Sequence, residues 1–252
     1  MSNTRSAYDR FAPIYDEFNA ANDYEMWFGH LLPELEKRGL GEAGRLLDVG
    51  CGTGRAFPPM LRRGWEIQAC DLSPGMIEEA RRKFGDAVPL AVADLTELPT
   101  FGEFDLVWAL NDVVNYLTED GQLVRALEGM RANLAPGGMV LFDANTLALF
   151  DSHFTDAGEN EMSVGEWRWR GLSSSLEPGG AFEAEISGSG VETHAHRQRH
   201  HPVEQVQEAI AAAGLVHLAS LGQREADGKV LLTEPPDEQR DHKSIHIARS
   251  PD

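Results

Sequence analysis

The chain has 252 residues with 22 basic and 41 acidic side chains, a formal net charge of −19. A chain this acidic repels phosphate backbones and anionic bilayers, which sets aside nucleic acid and membrane surfaces as partners. The length allows one or two domains with an ample core, and 42% apolar with 25% charged residues is a globular composition, not a disordered one. The two cysteines, Cys51 and Cys70, form no C-x-x-C pair, and the N-terminus Met1-Ser-Asn-Thr-Arg5 lacks the apolar segment of a secretion signal. No run approaches the roughly 20 apolar residues of a membrane span. These features point to a reduced, soluble, cytoplasmic protein.

The first thirty residues are rich in aromatics, with Tyr8, Phe11, Tyr15, Tyr24, Trp27 and Phe28, and read as helical pieces. A rhythm of strand, turn and helix follows. Arg45–Val49 reads as a buried strand leading into Gly50-Cys-Gly-Thr-Gly54, with a helix to about Arg63. Trp65–Leu72 is a second strand. Ser73 and Pro74 supply an N-cap and a first-turn proline for a helix ending at Phe84. Val88–Ala93 and Phe104–Leu110 are the third and fourth strands, and a helix runs from about Thr118 to Leu134. Pro136-Gly137-Gly138 stops it before a fifth strand, Met139–Ala144. Such alternation predicts right-handed crossovers and a doubly wound α/β sheet, mostly parallel and covered on both faces.

The rhythm breaks at residues 146–201. Gly-rich punctuation (Pro178-Gly-Gly180, Ser187-Gly-Ser-Gly190) and alternation in Phe182–Ile186 predict a small antiparallel β insertion. A helix over Val203–Ala213, stopped by Gly214, then precedes two last strands, Leu215–Leu221 and Ser244–Arg249, for seven in all. Residues 223–243, with Pro235-Pro236 and many charges, read as an exposed hairpin loop.

The sequence Asp48-Val-Gly-Cys-Gly-Thr-Gly54 lies at the carboxyl end of the first strand, where open α/β sheets bind ligands. Glycines there remove the Cβ atoms that would keep a ligand off the backbone. Asp71, 23 residues beyond Asp48, ends the second strand, where a carboxylate can accept both ribose hydroxyls of an adenosine; Asp94 ends the third. A dinucleotide fingerprint would need glycine at position 55, which is Arg55, and this weighs against a reductase.

Leu46-Leu-Asp-Val-Gly-Cys-Gly-Thr-Gly54, Cys70-Asp-Leu-Ser-Pro-Gly-Met76, Ala93-Asp-Leu95 and Phe104-Asp-Leu-Val107 resemble the ordered motifs of class I S-adenosylmethionine-dependent methyltransferases. Tyr8 to Asp16 is similar to the helical lid of the small-molecule members. Asn111–Tyr116, Phe142-Asp-Ala-Asn145 and the insertion resemble a bacterial subgroup that includes antibiotic-sugar N-methyltransferases. The resemblance implies a Rossmann-like core of residues 41–145 and 202–252, a lid over 1–40, and an insertion (146–201) near the substrate pocket. It also implies S-adenosylmethionine as cofactor. Gly50, Cys51, Gly52 and Gly54 would underlie the methionine part, with Asp48 near its amino group. Asp71 would hold the ribose, Leu72 and Met76 the adenine face, and Asp94 and the Leu95 backbone the adenine edge. Tyr15 would close over the cofactor, and Asn111 would contact its methionine moiety.

The implied activity is methyl transfer to a small molecule, first at an amine nitrogen, otherwise at a hydroxyl or carbon. A macromolecular methyltransferase and a non-catalytic cofactor-binding protein are the rivals. In-line displacement at an activated methyl group needs positioning and water exclusion more than a strong base. His153 and Tyr116 are the candidate catalytic residues, and Asp112, Asn115, His194 and His196 the candidate acceptor contacts. Glu192, His194, His196, Gln198 and His200 fall on one face of a strand. No Cys or tight carboxylate cluster accompanies them, so no metal is assigned. Trp167 and Trp169 read as packing of the insertion onto the core. The acidic run Asp151, Asp156, Glu159, Glu161 and Glu166 reads as a solvated loop that would favour cationic acceptors where it overhangs the pocket. A homodimer is the candidate assembly.

Overall fold

The computed structural model describes residues 2–20, 22–155, 161–164, 167–188, 191–226 and 229–251. Three helices, α1 (Ser2–Phe11), α2 (Tyr15–Phe18) and α3 (Tyr24–Glu36), come first, the last capped by the Asp23 carboxylate accepting from Met26 N. Then follow β1 (Arg45–Val49), α4 (Phe57–Arg62), β2 (Glu66–Asp71), α5 (Pro74–Phe84), β3 (Leu90–Val92), β4 (Phe104–Ala109), α6 (Gln122–Arg131) and β5 (Leu134–Asn145). The insertion holds α7 (Leu147–Phe154), β6 (Glu161–Val164), β7 (Trp167–Gly171), β8 (Ala181–Gly188) and β9 (Val191–Arg199). The chain closes with α8 (Val203–Ala212), β10 (Val216–Ala226), β11 (Lys229–Thr233) and β12 (Lys243–Arg249).

The main sheet has eight strands in the order β11-β10-β12-β5-β4-β1-β2-β3, and β1 to β5 pair in parallel. From β1 the chain winds outward through β2 to β3, then returns to β4 on the other side of β1. The crevice at that reversal is where open α/β sheets hold ligands. Leu46 and Leu47 are neighbours in β1 and both are buried, as strands covered on both faces require. One face packs on α3 and α4, where Phe28 stacks on Trp108 at 5.0 Å; the other packs on α6 and α8 through Leu127, Met130, Val206 and Ile210.

Several expectations change. The sheet has eight strands because β10 runs on to Ala226 and pairs with β11, where a loop was expected. Val230 is buried while Leu231 is exposed, the alternation of an edge strand covered on one side. The sequence pair Asp227-Gly228 is a strong hairpin signal, and it lies outside the described residues. Helix α6 is shorter than its periodicity implied. The buried Asn133 side chain donates to Pro99 O and Gly129 O and accepts from Phe101 N, anchoring the chain just beyond the helix. Residues 147–154 form a helix, so His153 is helical rather than in a loop. Among the insertion's acids, Asp156, Glu159 and Glu166 lie outside the described residues, as do Ser189 and Gly190.

The insertion is a four-stranded antiparallel sheet, β6-β7-β8-β9, and α1 lies against β9. Trp167 is buried, and the Trp169 indole donates to His153 O (2.7 Å), which joins the insertion's sheet to its own helix α7. Asn115 joins insertion and core: its Nδ2 donates to Arg199 O (2.8 Å) and its Oδ1 accepts from Asn145 N (2.9 Å). Asn115 is fully buried, so Asn115→Ala leaves two backbone groups without partners at a cost of about 2 kcal/mol. Thermal unfolding of this variant is expected roughly 4–8 °C lower than that of the wild type.

Candidate active site

At the end of β1 the chain turns sharply: Gly50 N and Cys51 N both donate to Cys70 O on β2, at 2.8 and 3.0 Å. Gly50 (φ +76°) and Gly52 (φ +54°) occupy the left-handed region, and a Cβ on Gly50 would meet the Val113 side chain at 2.6 Å. The Asp71 carboxylate braces this turn, accepting from Gly52 N (2.8 Å) through one oxygen and Ser73 N (2.8 Å) through the other. A carboxylate offers about four lone-pair positions, so each oxygen retains acceptor capacity. Burial pushes the Asp71 carboxyl up to about 6, partly offset by those backbone donors. Burial pushes Asp48 up to about 7, and Asp71 adds to the shift. Asp48 Oδ2 is buried without a hydrogen-bond partner. Asp94 caps the turn after β3, accepting from Thr96 N and Thr96 Oγ1 through Oδ1.

Beyond β4, Asn111 (φ +66°) and Asp112 (φ +56°) form a left-handed elbow. Asn and Asp tolerate this conformation better than other L-residues, and two in succession still need support. The buried Asp143 carboxylate on β5 provides it, accepting from Asn111 N (2.6 Å) and Asp112 N (3.0 Å). Lys243 on β12 compensates that charge, with Nζ 2.5 Å from Asp143 and 3.8 Å from Asp112. The Asp112 carboxyl is pushed up to about 6 by burial, with Lys243 opposing the shift.

A cavity of about 890 Å³, including its mouth, opens over these turns. Its floor is Gly50, Cys51, Gly52, Asp71, Leu72, Asp94, Leu95 and Asn111; its roof is Arg5, Tyr8, Tyr15 and Tyr24 from the N-terminal helices, with Tyr116 at the side. The chain has four tyrosines, and all four line this cavity. Burial raises each phenol above its ordinary range, so all are neutral near pH 7. Tyr8 donates to Tyr116 Oη (2.8 Å), whose hydroxyl lies 2.8 Å from His196 Nδ1. Burial drives His196 down to about 3, so it is a neutral ring able to accept the Tyr116 proton. The roof is latched to the core. Asp9 accepts from Ser73 Oγ (2.6 Å) and Gly75 N (3.0 Å), Asp16 binds Thr53 and Lys83, and Arg55 donates to Asn19 O and Asn22 O.

Nine of the expected cofactor contacts are thus on the cavity wall: Tyr15, Gly50, Cys51, Gly52, Asp71, Leu72, Asp94, Leu95 and Asn111. Asp48 lies beneath the turn. Gly54 lets Phe57 and Phe84 approach, and Met76 is buried with Phe11 and Ile186. Tyr116 is on the wall, while His153 lines a separate cavity over β10 and β12. Asp112, Asn115, His194 and His196 line neither. Asp112 accepts from Gln198 Nε2, and the two histidine rings pack on Phe11 at 6.0 Å. Among the described residues, no group of three His, Cys, Asp or Glu could hold a metal ion, and no helix is long and apolar enough to cross a membrane. Tyr8, Tyr24 and Arg5 were not singled out from the sequence as site residues. The concentration of tyrosine in the first 24 residues was the available signal.

Residues 46–138 match the family model described as a methyltransferase domain. The chain is 28% identical over 220 residues to YqeM of Bacillus subtilis (strain 168), named as a methyltransferase; the match covers 82% of this chain and 85% of YqeM. The chain carries a methyltransferase domain. It is also 28% identical over 194 residues to the dTDP-3-amino-3,6-dideoxy-alpha-D-glucopyranose N,N-dimethyltransferase of Streptomyces fradiae, covering 73% of this chain and 74% of that enzyme. Its fold superposes on a crystal structure of an S-adenosylmethionine-dependent methyltransferase from Clostridium acetobutylicum with a TM-score of 0.74 and 21% identity, covering 98% and 100% of the two chains. The sequence motifs imply S-adenosylmethionine as the group this cavity would hold. The residues fit it: a bare backbone at Gly50 and Gly52, spare acceptor capacity on Asp71 and Asp94, and an unpartnered buried oxygen on Asp48.

Two measurements probe this methyltransferase site. Below about pH 6 the Asp71 carboxyl gains a proton and becomes a poorer acceptor for hydroxyls, so cofactor affinity should fall as pH drops through 6, by up to about tenfold per unit. Calorimetry should show that Asp71→Asn binds weakly and lacks this branch. Asp143→Asn, which leaves Lys243 only the more distant Asp112 carboxylate as charged partner, should lower urea stability by about 3 kcal/mol. The Asp143→Asn/Lys243→Met double variant should recover much of that loss if the pair acts as a unit.

Proposed function

We propose that this methyltransferase N-methylates a small-molecule amine. The observation that carries this reading is the titratable lining of the cofactor cavity: two carboxylates, an arginine, a buried thiol and four neutral phenols, with no lysine or histidine among the described wall residues. None of these groups is a strong base near pH 7. A phenol or alcohol acceptor needs its proton removed, whereas an amine needs only to be in its neutral form. The Streptomyces fradiae relative, an N,N-dimethyltransferase of an amino sugar, supports the same class.

Bound in the cavity, S-adenosylmethionine supplies a sulfonium methyl group already activated toward nucleophiles. The roles are those the sequence motifs imply, and the positions of the residues support them. Asp71 accepts from the ribose hydroxyls, Asp94 from the adenine amino group, and the Leu95 backbone offers a donor to the same ring, with Leu72 against its face. Gly50, Cys51 and Gly52 would let the methionine part lie on the backbone, and the buried Asp48 carboxylate beneath the turn would attract its amino group. Tyr15, Tyr8 and Tyr24 exclude water from above. Their ring faces favour a cationic sulfur, and aligning sulfur, methyl and nucleophile provides most of the catalysis.

The reading is tested by incubating the protein with S-adenosylmethionine and a panel of primary and secondary amines, phenols and hydroxy acids, and following S-adenosylhomocysteine release. Amines are expected to turn over, with rates rising with pH as the free base increases. Turnover confined to phenols or hydroxy acids would sink the proposal.

A further inference from the structure

The cofactor cavity is bounded at one end by Tyr24 and Asn111, joined by a 2.8 Å hydrogen bond from Asn111 Nδ2 to the Tyr24 hydroxyl. The same two residues line a second cavity, about 1030 Å³ including its mouth. The walls of the first come from the ends of β3, β2, β1 and β4. Those of the second come from β10 and β12, closed by Trp27 of α3 and His153 of α7. The second cavity therefore extends the line of the first across the sheet, past the elbow at Asn111. Displacement at a methyl group requires the nucleophile opposite the departing sulfur, and an acceptor beyond Asn111 would lie at the end of the cofactor cavity opposite the adenine-side residues Asp94 and Leu95.

The wall chemistry limits what fits. Its two fixed cations are engaged: Lys243 by Asp143 at 2.5 Å, and Arg224 by Asp241 at 3.5 Å. Its carboxylates Asp23 and Glu225 are exposed and have no ion pair among the described residues. Trp27 presents an aromatic ring held by its indole N–H donating to Gln223 Oε1 (2.5 Å). Two histidines also line it: His242, and His153, whose Nδ1 lies 2.7 Å from Ser152 Oγ and which burial makes a weaker base than an ordinary imidazole, so neither cavity offers a strong base. The Trp27 ring already faces Lys243 Nζ at 5.8 Å, so selection falls to the two carboxylates without ion pairs at the mouth, which attract an organic cation and disfavour an anion.

We propose that this second cavity is the methyl-acceptor site, and that it takes a small amine that is cationic in water and enters past Asp23 and Glu225. The proposal rests on the amine reading above and gives it a location. The amine releases a proton to solvent. Its lone pair then forms the new nitrogen–carbon bond as the carbon–sulfur bond breaks, the bonding pair staying on sulfur, and the alkylated nitrogen returns its extra proton to water. The acceptor thus approaches over β12, on the side away from His194 and His196.

The test uses the full-length protein with saturating S-adenosylmethionine and the amine probes ethanolamine, glucosamine and benzylamine. It compares wild type with Glu225→Gln, Glu225→Lys and Asp23→Asn, the last retaining a helix cap. Acceptor KM should rise about tenfold for Glu225→Lys, less for Glu225→Gln, and further when Asp23→Asn is combined with either. The cofactor Kd from calorimetry should change less than twofold, which also verifies folding. Amine turnover with KM unchanged in all variants would overturn the location. If phenols or hydroxy acids turn over and no amine does, the amine reading falls, and the proposed ligand class with it.

Discussion

One buried carboxylate organises the working end of this protein. Asp143 accepts from two consecutive backbone N–H groups, Asn111 and Asp112, both in the left-handed region. Without that support the β4 elbow would relax toward ordinary backbone geometry, because a left-handed L-residue carries a steric cost. The elbow sets the position of the Asn111 side chain, and Asn111 is a wall of both cavities. Lys243 compensates the charge that burial would otherwise make costly, and brings β12 into the same network. Cofactor floor, elbow and acceptor wall thus share one electrostatic support.

The roof follows a different logic. It is made of helices too short to be stable alone and held by side chains that reach the core: Asp9 to the α5 N-terminus, Asp16 to Thr53 and Lys83, and Arg55 to two carbonyls of the segment after α2. These contacts are polar, whereas α3 is also anchored through Phe28, Leu31 and Leu35 in the core. The roof's inner surface is aromatic. The hydroxyls of Tyr8 and Tyr116 are linked in a chain that ends on a neutral His196, while the ring faces remain for the ligand. Segments far apart in the chain, α1, the turn after β4 and β9, meet in that one chain of hydrogen bonds.

The parallel core was legible because its signals are local. Arg45–Val49 is a short apolar run followed by glycines, and Ser73-Pro74 announces a helix by capping chemistry alone. The same locality made Asp71 and Asp94 readable, since a carboxylate at a strand's carboxyl end has a position that strand order determines. The edge strand β11 was obscured by the charges and prolines that follow it. Helix α7 was hidden by its brevity, with Leu147, Phe150 and Phe154 as its few buried positions. His194 and His196 show the limit of pattern reading. Period two placed them on one face, but only packing against α1 determines that the face is buried.

By itself the sequence determined the doubly wound sheet and carried the motifs whose resemblance implies the cofactor, because glycine turns, strand-ending acids and hydrophobic alternation act over a few residues. Only tertiary structure decided which side chains share a cavity. Asp143 and Lys243 are 100 residues apart, and Tyr24 meets Asn111 across 87. Such pairs leave no periodic trace in the chain. Their partners are selected by the sheet order, which brings the end of β12 beside that of β5, and the opening net charge of −19 carries no information about which few carboxylates are buried there.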